Sequence, residues 1–261
     1  MDLLKKVYQY IVGYEDPRVK DWIIYSPYTI VFILLCYYFF VFVFGPRYMK
    51  NRNPYSLKTF IKYYNIFQII MNSFIVYKLI KGGWFTSLSI YCEPITYSTD
   101  PVKLELLNGC WWAMLLKHID LIETGVYVLR KKNRQISFLH LYHHISTVFI
   151  GWMFGKYYSD GMGTFIPLVN CSVHVIMYTY YFLSTCNSNI KNFTNQYKFL
   201  ITIIQMIQFI ILICHLMQTL SPNCNYPKIP GPIVIFNCFI NFILFYNFYK
   251  KNYLIGKAKQ N

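Results

Sequence analysis

The sequence predicts an all-α membrane protein with seven transmembrane helices. Of its 261 residues, 56% are hydrophobic and only 13% are charged, whereas a soluble domain of this size carries about 25% charged residues. Long apolar runs recur along the whole chain, and a helix needs about 20 such residues to cross a bilayer. Because the connections between the runs are short, we expect one membrane domain over residues 1–261.

Seven stretches are long and apolar enough to be transmembrane candidates. In chain order they are 26–45, 60–80, 105–129, 137–155, 162–184, 199–220 and 231–249. Basic residues occur in short clusters between these runs, which is typical of membrane topology. The net charge of +15 therefore does not indicate a nucleic-acid-binding surface, and we expect no nucleic-acid partner.

Basic residues in the connections predict the orientation of the chain. The connections assigned to the cytosol hold 14 Lys or Arg and no Asp or Glu, against 8 basic residues on the opposite side. These cytosolic connections are 45–59, 129–136, 185–198 and 248–261. Since basic loops remain in the cytosol, residues 1–25 are expected in the lumen and the tail 250–261 in the cytosol. Because the two ends then lie on opposite sides of the membrane, the number of spans must be odd, which agrees with seven.

Two further features favour the endoplasmic reticulum membrane. The chain ends in KAKQN, which places Lys257 and Lys259 in a Lys-x-Lys-x-x pattern typical of a retrieval signal on a cytosolic tail. Cys92 and Cys224 fall in two connections on the lumenal side. Because that compartment is oxidising, a disulfide between them is expected.

Ionisable residues inside the predicted spans mark the candidate functional site, because charges in a bilayer are costly. In the third span Lys117, Asp120 and Glu123 occur at i, i+3 and i+6, within about 120° of one another on the helix. Thr124 follows directly. A structural ion-pair network between two helices is the alternative interpretation of this face.

The fourth span contains the stretch FLHLYHHIST, with His140, His143 and His144 at i, i+3 and i+4 on one helix face. The next two spans carry further polar stripes. These stripes consist of Asn170, His174 and Tyr178 in the fifth span and Thr202, Gln205 and Gln208 in the sixth. Each stripe alone is typical of hydrogen bonding between membrane helices. Together they indicate several helices around one polar cavity.

Closely spaced histidines first suggest a metal site. An iron-dependent membrane desaturase or hydroxylase needs about eight histidines to fill two coordination spheres, and this chain has six. A single metal held by His140, His143, His144 and His174 stays open as an alternative. The same residues suit metal-free acyl transfer, in which a neutral imidazole attacks, carboxylates orient it, and lysine or amide groups stabilise negative charge. We favour acyl transfer, with no metal.

Two other classes of membrane protein share some of these features. A seven-span receptor would have the same orientation, but it gains nothing from histidines that face carboxylates. A proton-coupled transporter also uses intramembrane carboxylates and histidines as relays, and it predicts transport in liposomes without release of coenzyme A.

The motifs in this order resemble those of the ELO-type very-long-chain fatty acid elongases. The segment KHIDLIETGVYVLRKKNRQISFLHLYHH is similar to the family's Lys-x-x-Glu-x-x-Asp-Thr segment, basic loop and His-x-x-His-His box. Further similar segments are NCSVHVIMYTYY, ITIIQMIQF, GPRYMKNRNPYSLK and the basic tail. The chain departs from the family at Asp120 and Glu123, which stand where the family usually has Glu and then Asp.

The resemblance implies a fold and an activity. The family fold has seven helices, six of which form an inverted barrel around a tunnel open to the cytosol. The implied reaction joins a long-chain acyl-CoA to malonyl-CoA and gives 3-oxoacyl-CoA, CO2 and CoA, without a cofactor. The family mechanism is ping-pong, which implies that His143 would carry the acyl group. His140 and His144 would be its orienting neighbours, and His174 would lie across the tunnel.

The resemblance also implies substrate contacts and partners. Asn170, Lys117 and Gln205 would contact the thioester or malonyl group, and Tyr178 and Gln208 belong to the same substrate-binding stripes. Basic residues at the cytosolic mouth would attract the CoA phosphates; they are Lys132, Arg134 and Lys198. Matching cysteines of the family form a lumenal disulfide, which supports the Cys92–Cys224 pair. The bilayer, the reductases and dehydratase of the elongation cycle, and a second copy of the chain are the expected partners.

Overall fold

The computed structural model describes residues 15–186 and 188–255, in which the regular structure is helical apart from an isolated bridge between Trp84 and Leu88. The all-α class is therefore confirmed for this part of the chain. Its helices are α1 Pro27–Met49, α2 Lys58–Lys81, α3 Pro101–Asp120, α4 Ile122–Leu129, α5 Phe138–Tyr157, α6 Phe165–Ser184, α7 Ser188–Gln196, α8 Lys198–Met217 and α9 Pro230–Tyr249. Lys257 and Lys259 of the predicted retrieval signal lie outside the described residues.

Four helical segments of the described chain are long and apolar enough to cross a membrane. They are Pro27–Met49, Gly161–Ser184, Lys198–Leu220 and Pro230–Leu254. Helices α2, α3 and α5 lie where three further spans are predicted. Charged residues and histidines of the candidate site lie on α3 and α5, and α2 carries lysines near both of its ends. The several apolar helices indicate a multi-pass membrane protein.

Sequence signals explain where several helices begin. Proline occupies the first position of α1, α3 and α9, where its fixed backbone angle fits and its missing N–H is not needed. Ser137 caps α5, because its hydroxyl accepts a hydrogen bond from the backbone N–H of His140. The box histidines therefore occupy the first two turns of α5, near the basic connection that precedes it.

Helix α1 has one apolar face exposed and one packed. Phe32 and Phe44 are 67% and 62% exposed, as expected of side chains that face lipid. Tyr37 and Val41 on the other face are buried in a cluster with Val128 of α4 and other apolar residues of α3 and α5. Helix α1 therefore lies at the outside of the molecule, against the helices that carry the candidate site.

The other long helices each contact two neighbours. Helix α2 packs against α3 and α6, α6 against α8, α8 against α9, α9 against α5, and α5 against α3. Where the end of α2 packs against α3, a Cβ on Gly82 would lie 2.8 Å from the backbone nitrogen of Leu106, so glycine permits this close approach. The polar faces of the six helices consequently meet in the interior.

The connections at the far end of α5 are joined covalently, and we call this the disulfide end. Cys92 and Cys224 form a disulfide with a Cα–Cα distance of 5.5 Å, the pair expected from the sequence. Asp160 accepts hydrogen bonds from the backbone N–H groups of Gly161 at 2.7 Å and Tyr97 at 3.1 Å. The connection that contains residues 89–100 is thereby fixed to the start of α6. The opposite end, with residues 130–134, is called the basic end.

Candidate active site

The last turn of α3 places a buried ion pair inside the molecule. The Nζ atom of Lys117 lies 2.9 Å from Oδ2 of Asp120, and the two residues are only 9% and 3% exposed. Helix α3 ends at Asp120 and α4 begins at Ile122, so Glu123 belongs to a separate short helix. The predicted carboxylate face is therefore divided between two helices.

Helix α2 supplies amide side chains to this ion pair. Gln68 donates from Nε2 to Oδ1 of Asp120 at 2.8 Å and to the hydroxyl of Tyr64 at 2.7 Å. Asn72 in turn donates to Oε1 of Gln68 at 3.1 Å. Both oxygens of Asp120 are thus engaged, which offsets the cost of burying its charge.

Glu123 contacts residues from three other helices. Its Oε1 atom accepts a hydrogen bond from the hydroxyl of Tyr178 on α6, and the hydroxyl of Tyr64 lies 3.5 Å from the same atom. Its Oε2 atom lies 3.6 Å from Nε2 of His144 on α5. The carboxylate consequently holds the hydroxyl of Tyr178 and lies beside the ring of His144.

His140 is held from the opposite side by hydroxyl groups. Its Nε2 atom lies 2.8 Å from Oγ1 of Thr124, and the same hydroxyl lies 2.8 Å from that of Tyr37 on α1. The rings of His140 and His144 lie one turn apart and are tilted by 51° to each other, with centroids 4.2 Å apart. His140 is therefore fixed through Nε2 by Thr124, while Nε2 of His144 faces the carboxylate of Glu123.

His143 is held through its other nitrogen. Its Nδ1 atom lies 3.3 Å from Oδ1 of Asn241 on α9. Asn241 is 1% exposed, and its amide nitrogen donates to the backbone carbonyl of Asn237 at 2.9 Å. Of the three box histidines, His143 is the one whose Nε2 atom is free of the contacts that engage the other two.

A cavity extends from these residues towards the disulfide end. Its polar lining groups are Lys117, His143, Asn170, Gln208, Asn237 and Asn241. Most of its remaining lining is apolar, with Met114, Ile150, Phe154, Phe209, Leu212 and Val234 among the residues that contribute. Ser159 and Gly163, which follow α5, lie at its far end. The cavity therefore combines one polar region with a long apolar wall.

The polar stripes of α6 and α8 are only partly brought to this cavity. Asn170 and Gln208 line it, whereas the Nε2 atom of Gln205 faces Sδ of Met177 at 3.2 Å. Tyr178 contacts Glu123. His174 is buried, and within the described structure its Nδ1 atom has no hydrogen-bond partner. Its ring packs edge-on against Tyr178 at 5.7 Å.

The three basic residues predicted at the mouth lie at or near the basic end. Lys132, Arg134 and Lys198 are all exposed, and none of them belongs to the cavity lining. Lys132 directly precedes the single turn Asn133–Gln135, which leads into α5. These side chains are accessible to a water-soluble group that approaches the ends of α4, α5 and α8.

Amide side chains of α2 and α9 are the functional candidates that the sequence interpretation missed. They are Gln68, Asn72, Asn237 and Asn241, with Tyr64 as a neighbour. In both helices the amides recur at a spacing of four residues within an apolar run, the same signal that identified the stripe of α6. Among residues 15–186 and 188–255, no group of three or more His, Cys, Asp or Glu is arranged to hold a metal ion.

Comparisons with known proteins agree over the length of the chain. The model of the family described as "ELO: GNS1/SUR4 family" matches residues 22–261. Very long chain fatty acid elongase 1 of Mus musculus is 36% identical over 263 residues, covering 98% of this chain and 93% of that protein. A very long chain fatty acid elongase of Aedes aegypti is 33% identical, covering 100% of this chain and 73% of that protein.

A third relative is very long chain fatty acid elongase 7 of Drosophila melanogaster. It is 34% identical over 247 residues, covering 94% of this chain and 75% of that protein. The family model and the relatives both extend across the segments that carry the ion pair, the histidine box and the amide stripes. This chain belongs to the ELO (GNS1/SUR4) family.

Proposed function

We propose that this protein is the condensing enzyme of fatty acid elongation, a 3-oxoacyl-CoA synthase that joins a long-chain acyl-CoA to malonyl-CoA. Its relatives are named very long chain fatty acid elongases, which supports elongation as the process. The observation that carries the chemistry is the position of His143. Of the three box histidines, it is the one that lines the apolar cavity, together with Lys117 and Asn170.

In the first half-reaction His143 attacks the thioester of the acyl-CoA. The lone pair of Nε2 adds to the carbonyl carbon, the carbon–sulfur bond breaks, and CoA leaves as the thiolate, which takes a proton from water. The acyl group is then bonded to Nε2 of an imidazolium whose proton remains on Nδ1. A neutral imidazole in a buried site suits this nucleophilic role.

In the second half-reaction malonyl-CoA loses CO2 and becomes an enolate. The enolate carbon attacks the acyl carbonyl, the bond to Nε2 breaks, and 3-oxoacyl-CoA leaves with His143 restored as a neutral ring. The ammonium of Lys117 and the amides of Asn170 and Gln208 are the groups of the cavity that stabilise negative charge on the enolate. In a site with little water this stabilisation is stronger than in solution.

The other predicted catalytic residues act by holding these groups. Asp120 pairs with Lys117 and fixes its ammonium. Glu123 and Thr124 hold His144 and His140 on either side of His143. His174 has a buried ring whose Nδ1 atom has no hydrogen-bond partner among the described residues, which suits a contact with the reacting group. Gln205 and Tyr178 lie behind this side of the site and support it.

The apolar part of the cavity is the proposed site of the fatty acyl chain. A hydrocarbon gains about 0.8 kcal/mol for each methylene that leaves water, so an apolar wall beside His143 favours long chains. The chain would extend from His143 past Ile150 and Phe154 towards Ser159.

The proposed function implies a membrane arrangement. Seven spans are proposed, of which α2, α3, α5, α6, α8 and α9 close into an inverted barrel; the pairwise contacts of these six helices support this. The basic end would face the cytosol, where Lys132, Arg134 and Lys198 bind CoA phosphates. The amino terminus and the disulfide would then be lumenal, and Lys257 and Lys259 would return the protein to the endoplasmic reticulum.

The proposed pathway position also implies partners. The 3-oxoacyl-CoA product requires reduction, dehydration and a second reduction before the next cycle, so reductases and a dehydratase of the same membrane are proposed neighbours. A homodimer is proposed as the assembly.

The decisive experiment follows the two half-reactions separately. Purified protein given acyl-CoA alone should release CoA and gain one acyl mass on the peptide that contains His143; subsequent malonyl-CoA should release the 3-oxoacyl product. His143→Gln should abolish both steps. His118→Gln is the matched control, because His118 hydrogen-bonds the carbonyl of Met114 and does not line the cavity. Well-folded protein that leaves acyl-CoA unchanged would contradict the proposal.

A further inference from the structure

The contact between His143 and Asn241 determines which nitrogen of the ring carries the proton. The amide nitrogen of Asn241 donates to the backbone carbonyl of Asn237, and a carbonyl oxygen can only accept. The amide oxygen of Asn241 therefore faces His143, with its Oδ1 atom 3.3 Å from Nδ1. Because this oxygen can also only accept, Nδ1 must be the donor.

A neutral imidazole has one N–H and one lone pair on the two nitrogens. With the proton on Nδ1, the lone pair of His143 is on Nε2. We propose that Asn241 is the positioning residue that fixes His143 in this form, so that Nε2 is available as the nucleophile towards the cavity. This inference rests on the proposed acyl transfer to His143 and adds a role for α9, whose amides are absent from the predicted site.

The neighbouring contacts show that Asn241 is itself held in place. It is 1% exposed, and its amide nitrogen is already engaged by the carbonyl of Asn237. Asn237, one helical turn before it, accepts a hydrogen bond on Oδ1 from the hydroxyl of Tyr142 at 3.0 Å. Tyr142 directly precedes His143 on α5, so the pair of asparagines fixes both residues from the facing helix.

Asn241 also acts after the bond to the acyl group forms. Acylation at Nε2 gives an imidazolium that keeps its proton on Nδ1, and the amide oxygen continues to accept from this more acidic N–H. A hydrogen bond to a charged donor is about twice as strong as one between neutral groups. The contact therefore strengthens as the acyl-imidazolium forms, which lowers the barrier to acylation.

The test separates the rate of acylation from the binding of acyl-CoA. Asn241→Leu keeps the size of the side chain and removes the amide oxygen that accepts the hydrogen bond. Asn241→Ala removes the same acceptor without any risk of overpacking. Because the variant loses a hydrogen bond to the charged acyl-imidazolium, we expect the single-turnover rate of CoA release to fall by about 10- to 100-fold. The acyl-CoA concentration at half-saturation should change less than about threefold.

Two further variants control for structure. Asn241→Asp loses the donor to the carbonyl of Asn237 but retains an oxygen that can accept from Nδ1, so it should restore acylation to within about tenfold of the wild type. Asn252→Leu is the matched control. Like Asn241, Asn252 donates from Nδ2 to the backbone carbonyl four residues earlier, that of Phe248 at 2.8 Å, but it does so on the exposed surface. It should acylate at the wild-type rate.

A direct measurement on the unmodified protein makes the proposal independent of how the variants fold. The 15N spectrum of histidine-labelled protein, with the His143 signals assigned by their loss in His143→Gln, should show N–H at Nδ1 and a bare nitrogen at Nε2. Three results would each overturn the role of Asn241. They are a proton on Nε2, a wild-type acylation rate in Asn241→Leu, and a change in the acyl-CoA concentration at half-saturation with no change in the acylation rate. Failure of the wild type to release CoA would instead refute the proposed function.

Discussion

The ammonium of Lys117 lies 2.9 Å from the carboxylate of Asp120, one turn further along α3 and almost completely buried. The sequence left two interpretations of this pair, a structural link between helices and a catalytic cation. In the structure the pair is linked to α2 through Gln68, and Lys117 also lines the cavity beside His143. Both interpretations therefore require a test that separates stability from activity.

Substitution of Lys117 alone, and of Lys117 together with Asp120, separates the effect on stability from the effect on activity. Lys117→Met should lower the free energy of unfolding by about 3–5 kcal/mol, because it leaves the carboxylate of Asp120 buried without its cation. Lys117→Met/Asp120→Asn should recover most of that stability, since neither charge remains. Condensation should stay lost in both variants. The measurements are thermal stability in detergent and release of CO2 from malonyl-CoA; recovery of CO2 release in the double variant would identify a purely structural pair.

The reach of Glu123 should matter as well as its charge. Glu123→Asp shortens the side chain by one methylene, so that one carboxylate can no longer contact both Tyr178 and His144. Loss of one such contact costs about 1.5–3 kcal/mol when a charged group is involved, and we expect the acylation rate to fall roughly tenfold or more. Glu105→Asp, which affects a pair with Lys78 and Lys81 at the disulfide end, should leave the rate unchanged. Equal rates in the two variants would contradict the role given to Glu123.

The hydrogen bond between Thr124 and His140 can be removed without a change in the shape of the side chain. Thr124→Val removes the hydroxyl that lies between Tyr37 and His140, and the unpaired ring nitrogen should cost about 1–3 kcal/mol. Tyr37→Phe should have a smaller effect, since His140 keeps its partner. Acylation rates at fixed protein concentration give the comparison. Thr179→Val, whose hydroxyl bonds the carbonyl of Val175, is the control; a rate as low as that of Thr124→Val would show that the effect is not specific.

The disulfide should contribute to stability and not to catalysis. It closes a loop with a sequence separation of 132 residues, for which a stabilisation of about 2–4 kcal/mol is typical. Neither cysteine lines the cavity. Cys92→Ser/Cys224→Ser should therefore melt at a lower temperature and retain its acylation rate at a temperature where it is folded. Cys36→Ser, at an exposed free cysteine of α1, should leave the melting temperature unchanged.

The positions of the helices were largely predictable, because the apolar runs that specify them are local. The predicted spans 137–155 and 162–184 lie within two or three residues of Phe138–Tyr157 and Phe165–Ser184 at each end. The break after Asp120 was not predicted. It leaves no gap in the apolar run, so composition alone gives no signal for it.

Stripes of polar residues on single helices were predicted where their chemistry was conspicuous. The histidines of α5 and the charges of α3 were identified at once, while the amides of α2 and α9 were passed over. Asparagine and glutamine are common in membrane helices as hydrogen-bonding groups. Their place beside the candidate site became visible only from their partners, Asp120 for Gln68 and His143 for Asn241.

The sequence by itself determined the helical class, the apolar runs and the residues that share a helix face, because each depends on a spacing of a few residues. The tertiary structure alone decided which of the three box histidines meets the cavity and which nitrogen it presents. His143 and Asn241 are 98 residues apart in the chain, and no local pattern encodes their contact. It exists because α5 and α9 pack together and place the ring of His143 against the buried amide oxygen of Asn241.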